Sequence, residues 1–242
     1  MADIAAVTFD LWETVLTDPH DVSVARDALR TEGMAAVLGM HPATLQPALD
    51  SLRRHLNHLQ LAEGDLDTAA QLDYLLARLD GPAWGGLSAV QRSALETAYV
   101  EPLFAHPPEP MPQVAAVLGA ITARGLPVGL ICNTGFTPGS ALQRLLTSMG
   151  VLPHFRTTFF SGDYGVAKPA ARAFHDTVRA LGVPAAATIH IGDNPATDVA
   201  GAKRAGLQAA LLHRLPSPPA AGHGADVVVG SLSAFLRYLD GA

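Results

Sequence analysis

A doubly wound parallel-sheet α/β core carrying a small helical insert is the fold this 242-residue sequence predicts. Three observations predict it. Short apolar runs alternate with helical segments along much of the chain, as strands buried on both faces of a parallel sheet require. One long block, from about Asp21 to Phe104, shows only three-to-four-residue apolar spacing. Two joints rich in proline and turn residues, LTDPHD (16–21) and AHPPEPMP (105–112), bracket that block.

The first strand is VTF (7–9), and the insert begins directly after it. Four helical stretches fill the insert: DVSVARDALRTEGMAAVLG, TLQPALDSLRRHLNHLQ, TAAQLDYLLARLD and LSAVQRSALETAYVEPLF. Beyond the second joint come a helix over 113–124 and a strand over 127–132, then a helix over 140–149 and a strand over 157–161. A helix over 170–182 follows, with Pro169 at its start, then the strand 187–192 and a helix after Asp198. Strands at 209–212 and 226–229 close the series, with LPSPPAAGHG (215–224) as a surface loop. The expected division is a core of 1–17 and 105–242 with an insert of 18–104.

Composition narrows the class. A net charge of −6 gives no basic footprint for nucleic acid. The single cysteine, Cys132, excludes an intrachain disulfide framework and fits a reducing compartment. The start, MADIAAVTFD, lacks the basic stretch of a secretory signal, and no apolar stretch reaches membrane-span length. The expectation is a soluble, cytoplasmic protein; the sequence sets no oligomeric state. Of the 16 basic residues, only Lys168 and Lys203 are lysines. Each therefore marks a place where a compact point charge could be needed instead of a planar fork.

In an α/β sheet, ligands bind beyond the carboxyl ends of the strands, near the reversal of strand order. Four strand ends here carry polar groups: Asp10; Cys132, Asn133 and Thr134; Lys168; and Asp193 with Asp198 five residues on. One such aspartate alone is usually a turn former or helix cap; four in order form a coherent set. Three carboxylates converging on one place repel each other unless a cation joins them, and hard oxygen ligands favour Mg²⁺. Lys168 can neutralise the excess or hold an anionic substrate, and free amides of the CNTG turn suit phosphate-like oxygens. A carboxylate beside a divalent cation can act as a nucleophile.

The segments FDLWETVL, LICNTG, GVAKP and IGDNPATDVAGAKRAG resemble the four ordered motifs of the haloacid dehalogenase superfamily of hydrolases. The resemblance spans both ends of the chain, and the insert looks like the family's cap on a Rossmann-like core. It implies a phosphatase acting on a small phosphorylated metabolite, with Asp10 as nucleophile forming an aspartyl-phosphate. It also implies that Cys132 and Asn133 contact the phosphoryl group and that Lys168 orients and neutralises. Mg²⁺ would be held by Asp10, Asp193 and the backbone carbonyl of Trp12, with Asp198 as ligand or support.

Two positions depart from the pattern. The family's phosphatases usually carry an aspartate two residues after the nucleophile, as proton donor to the leaving group; here it is Trp12. The carbonyl ligand survives that change, but the proton transfer, worth roughly 10²–10⁴-fold, does not. Glu13 is not expected to substitute, because neighbours in an extended segment point to opposite sides. Cys132 stands where the family has Ser or Thr, and a thiol is the weaker donor. An aromatic residue at position 12 also resembles the family's dehalogenases, although these work without metal and lack the paired carboxylates of Asp193 and Asp198. A non-catalytic binding module is a further alternative, opposed by the retention of Asp10, Lys168 and Asp193 together. Elsewhere, His190 reads as a satisfied core histidine and Lys203 as a surface charge. His55 and His58, with Arg53 and Arg54, read as a solvated helix face that could instead meet substrate.

Overall fold

The six runs form six strands because each is short and largely buried, and all but Gln208–Leu212 are rich in β-branched or aromatic residues. They are β1 (Ala6–Phe9), β4 (Val128–Cys132), β5 (Thr157–Phe160), β6 (Thr188–Gly192), β7 (Gln208–Leu212) and β8 (Val227–Val229). In the computed structural model, which describes residues 4–80, 84–219 and 221–241, they make one parallel sheet in the order β5-β4-β1-β6-β7-β8. From β1 the chain winds outward through β4 to β5, then returns to the other side of β1 for β6, β7 and β8. The reversal of order lies at β1, where ligands gather in such sheets. The expected α/β fold is the observed one.

Both faces are covered, so the central strands β1, β4 and β6 are buried at every position. On one face, α6 (Val114–Ala123), α7 (Gly139–Ser148) and α11 (Leu232–Leu239) pack Leu118, Leu142 and Phe235 against Phe9 and Leu130. On the other, α9 (Ala171–Leu181) and the short α10 (Ala200–Arg204) pack Phe174 and Ala202 against Ile131 and Leu211. One-turn helices α5 (Pro102–Ala105) and α8 (Ser161–Tyr164) link larger elements. The surface loop 215–224 contains no helix or strand among its described residues, Ala220 lying outside them.

Four helices fill the span between the joints: α1 (His20–Leu38), α2 (Pro42–Leu61), α3 (Thr68–Leu76) and α4 (Ala89–Val100). Local signals set their ends. His41 accepts from the Ala43 amide at 3.2 Å ahead of α2, Ser88 and Gln91 form a capping box on α4, and Gly39 ends α1 in the left-handed conformation. These helices bury their own apolar cluster, in which Leu49, Leu52, Leu72, Leu75, Leu95 and Tyr99 meet. Among the described residues no helix is long and apolar enough to cross a membrane.

The joints themselves are more ordered than their composition implied. Residues Leu16–Thr17 (β2) and Glu109–Pro110 (β3) pair antiparallel, so the two crossings between insert and core lie side by side. Arg26 of α1 fastens the pair: its guanidinium forks onto Asp18 at 2.6 and 3.0 Å, and its Nε donates to the His106 carbonyl at 2.9 Å.

Candidate active site

Asp10 continues β1 past its last paired residue, its amide donating to the Ile191 carbonyl at 2.9 Å. Asp193 directly follows the last residue of β6, Gly192. Asp198 stands on a wide π-type turn, Pro195–Val199, that leads into α10. The loop after α8 delivers Lys168, whose Nζ lies 2.5 Å from Asp10 Oδ1 and 2.7 Å from Asp198 Oδ1. Carboxylate oxygens of Asp10, Asp193 and Asp198 all lie within 4.8 Å of one another. Gly192 makes this approach possible, because a Cβ there would overlap the Asp198 carboxylate. Lys168 and Asp198 are each only 1% exposed, so this cluster interacts in a poorly screened environment.

The electrostatics follow from burial and crowding. Burial pushes the Asp10 carboxyl up to about 7; Lys168 pulls it back and Asp198 raises it again. Asp193 rises to about 6, through burial and then the Asp198 charge. Asp198 goes the other way: burial opposes its ionisation, but Lys168 and a hydrogen bond from His190 hold it well below the usual carboxylate range. Both its oxygens are engaged, one by Lys168 and His190, the other by the Asn194 amide at 3.0 Å. Two carboxylates thus share one lysine with a third beside them, and the charge of Asp10 and Asp193 is disfavoured. A hard divalent cation fits that donor set, since it supplies the missing positive charge to oxygen ligands.

The loop after β4 has a supporting geometry that the sequence did not reveal. The Asn133 side chain brackets the Lys168 backbone, accepting from its amide at 2.8 Å and donating to its carbonyl at 2.9 Å. Cys132 is buried among apolar residues and its thiol donates to the Asn133 carbonyl at 3.4 Å. Burial raises that thiol well above its ordinary value, so it stays protonated. Thr134 leads to a residue that sequence reasoning passed over. Asp65, in the α2–α3 loop, accepts hydrogen bonds from Ser161, Thr134 and Gln60, and from the Leu66 amide at 2.8 Å. Burial raises its carboxyl, the Ser161 hydrogen bond opposing. Nothing local distinguishes Asp65 from its neighbour Asp67, which merely caps α3; its core partners Thr134 and Ser161 lie 69 and 96 residues away in sequence.

Asp65 is therefore a polar tie between insert and core. Asp65→Ala leaves the buried Ser161 and Thr134 hydroxyls without their acceptor and is expected to lose about 1–3 kcal/mol of stability. Urea unfolding of wild type and variant measures it; a change below a few tenths would show that the tie is idle.

Trp12 is half-buried, packs on the edge of the core cluster, and lines a cavity of about 230 Å³ together with Asn133 and residues of α1 and α2. Glu13 is indeed turned away, but not through strand alternation. The chain turns at this point, with Glu13 at φ 58°, and its carboxylate binds the Asp18 amide at 3.0 Å, Thr17 and Arg214.

Comparison with known proteins gives this constellation its relatives. A family model described as haloacid dehalogenase-like hydrolase matches residues 4–206. The chain belongs to that family. This haloacid dehalogenase-like hydrolase is 30% identical to the phosphoserine phosphatase of Thermus thermophilus, over 92% of this chain and 94% of that protein. It is 28% identical to the glyceraldehyde 3-phosphate phosphatase of Methanopyrus kandleri, over 87% and 84%. Among solved structures, a 2-haloacid dehalogenase from Pseudomonas syringae superposes with a TM-score of 0.72 at 24% identity, covering 98% of both chains. A phosphatase from Thermococcus onnurineus superposes with a TM-score of 0.69 at 21% identity, covering 98% of this chain and 99% of that one.

The remaining polar residues of this hydrolase fall into place by their contacts. His190 is buried and satisfied at both nitrogens, by Thr8 at 3.0 Å and Asp198 at 3.4 Å, and packs edge-on against Phe174. It thereby also restrains Asp198. Lys203 is a surface charge paired with Asp226 at 2.8 Å. Of the α2 set, His55 stacks on Tyr74 with ring centres 4.1 Å apart, and only Arg53 lines the cavity.

Proposed function

We propose that this hydrolase is a Mg²⁺-dependent phosphatase of small phosphorylated metabolites, acting in the cytoplasm, where its one buried thiol stays reduced. The observation that carries the reading is the buried triangle of Asp10, Lys168 and Asp198 with Asp193 beside it. Asp10 attacks phosphorus, the bond from phosphorus to the leaving oxygen breaks, and that oxygen takes the electron pair. Water then releases inorganic phosphate from the aspartyl-phosphate and returns the carboxylate. Lys168 keeps Asp10 oriented and offsets the charge of the incoming phosphoryl group. Mg²⁺, held by Asp10, Asp193 and the Trp12 carbonyl with Asp198 as ligand or support, would stabilise charge on the transferring oxygens. Cys132 and Asn133 border the phosphoryl group, with Asn133 also fixing the lysine loop.

The insert, residues 18–104, acts in this reading as a cap moving on the paired β2–β3 hinge, and closing it excludes water from the chemistry. Its side of the cavity then selects substrate. A panel of small phosphate esters and acyl phosphates, with haloacids as controls, tests the reading. Haloacid turnover without phosphate release would favour the dehalogenase alternative, for which the aromatic residue at position 12 speaks.

Trp12 makes a kinetic prediction. Both carboxylates lining the cavity, Asp18 and Asp27, are already paired with arginines, so no side chain there is poised to protonate a leaving group. The rate should depend steeply on leaving-group pKa, with acetyl or p-nitrophenyl phosphate turned over far faster than an alkyl ester of similar size. Trp12→Asp should flatten this dependence, with thermal stability followed alongside because the smaller side chain leaves a cavity. Equal rates for alkyl and aryl esters in the wild type, with chemistry limiting, would sink the idea.

A further inference from the structure

The cavity beside Trp12 has an electrostatic design that the phosphoryl chemistry does not use. Arg30 of α1 and Arg53 of α2 converge there on one carboxylate, Asp27, the Arg53 contact being 2.5 Å. Both guanidiniums also lie over the ring of Phe136, at 5.3 and 4.8 Å from its centre. Phe136 comes from the core, three residues after Asn133, so the platform joins the phosphoryl side of the cavity to the insert. The two arginines differ in what they have left to offer. Arg30 is 3% exposed and its Nε is engaged by the Tyr99 carbonyl at 2.8 Å. Arg53 is about half exposed, and among the described residues only its Nη2 has a protein partner.

We propose that Arg53, braced by Asp27 and Phe136 and backed by Arg30, binds a carboxylate on the leaving group, making phosphorylated carboxylic acids the substrate class. This rests on the phosphatase reading for the position of the phosphoryl end. Three arginines and two aspartates line the cavity, leaving one positive charge in excess. That matches a single carboxylate better than a second phosphate, which carries about −1.5 to −2. The planar fork, braced over an aromatic ring, suits bidentate carboxylate binding. Size points the same way: about 230 Å³ lies below the range of roughly 300–1,000 Å³ that drug-sized ligands occupy. A leaving group of a few carbons fits that space.

Binding of non-hydrolysable analogues tests this independently of turnover. With Mg²⁺ present, phosphonopropionate should bind the wild type at least about tenfold more tightly than propylphosphonate, the range of a hydrogen bond to a charged group. Arg53→Met should bring the two within about twofold, whereas Arg54→Met, next to it on α2 but outside the cavity, should preserve the difference. Arg53 is exposed enough that its loss should not unfold the protein, and a thermal melt verifies this. Equal binding of the two phosphonates, an undiminished preference in Arg53→Met, or tighter binding of a bisphosphonate of the same length would each overturn the proposal. Hydrolysis of p-nitrophenyl phosphate, followed in parallel, separates the two readings. Turnover without carboxylate preference leaves the phosphatase standing and removes the subsite. Carboxylate-selective binding without any phosphate-ester turnover does the reverse.

Discussion

Lys168→Arg is expected to lower turnover of an aryl phosphate by about 10²–10³-fold, the range for losing one preorganised charge stabiliser, although the positive charge is kept. The reason is geometric. A single Nζ meets Asp10 at 2.5 Å and Asp198 at 2.7 Å, and the side chain is 1% exposed. A guanidinium needs more volume and directs its donors in a plane, so it cannot meet two carboxylates from different segments at one point. The backbone cannot retreat to make room, because Asn133 holds both its amide and its carbonyl. Overpacking adds a stability loss of about 1–3 kcal/mol, so thermal melts must accompany the kinetics. Removing the charge altogether is a poorer test, since two buried carboxylates left without their partner threaten folding itself. Lys203→Arg is the control: its ion pair with Asp226 is partly solvated, and such pairs contribute little. Matching activities for the two variants would show that Lys168 takes no part.

The contrast between the two lysines also shows which parts of this molecule can be read from sequence. The six strands were legible because each is a short, largely apolar run, and their carboxyl ends then located Asp10, Asp193 and Lys168 without any knowledge of contacts. The short α11 escaped, since SLSAFLRYLD buries only Leu232 and Phe235, too few for a periodic pattern. The β2–β3 ribbon escaped for a different reason. Two-residue strands spaced by the whole insert have no local signature, and proline-rich composition there reads as irregular chain. Asp65 belongs to the same class: it is an ordinary polar residue beside a helix until the fold brings it to the core, whereas Arg53 already stood on a face that could meet substrate. Local pattern therefore reveals groups whose position follows from the end of a strand, and misses groups placed by packing one layer on another.

Disabling the proposed metal site should be the second large effect, and Asp193→Asn is the variant that isolates it. Asp193 is half-buried and, unlike Asp10 and Asp198, makes no ion pair with Lys168. Its carboxyl is pushed up to about 6, by burial and by Asp198. An acid whose folded pKa is raised resists ionisation, so above that value its charge works against folding in the metal-free protein. Asparagine removes the charge at nearly constant shape, and metal-free stability at neutral pH should be unchanged or slightly higher. Mg²⁺ binding should suffer, because a neutral amide cannot replace a carboxylate among hard oxygen ligands. Two readouts follow. Mg²⁺ should raise the melting temperature of the wild type, by linkage to the folded state, and do so much less for the variant. Turnover should drop by about a thousandfold, a few kcal/mol of lost transition-state charge stabilisation, and EDTA should silence the wild type to a similar degree. A protein that releases phosphate undiminished in EDTA, and whose melting ignores Mg²⁺, would defeat the metal-dependent reading; undiminished haloacid turnover under the same conditions would put the dehalogenase chemistry in its place.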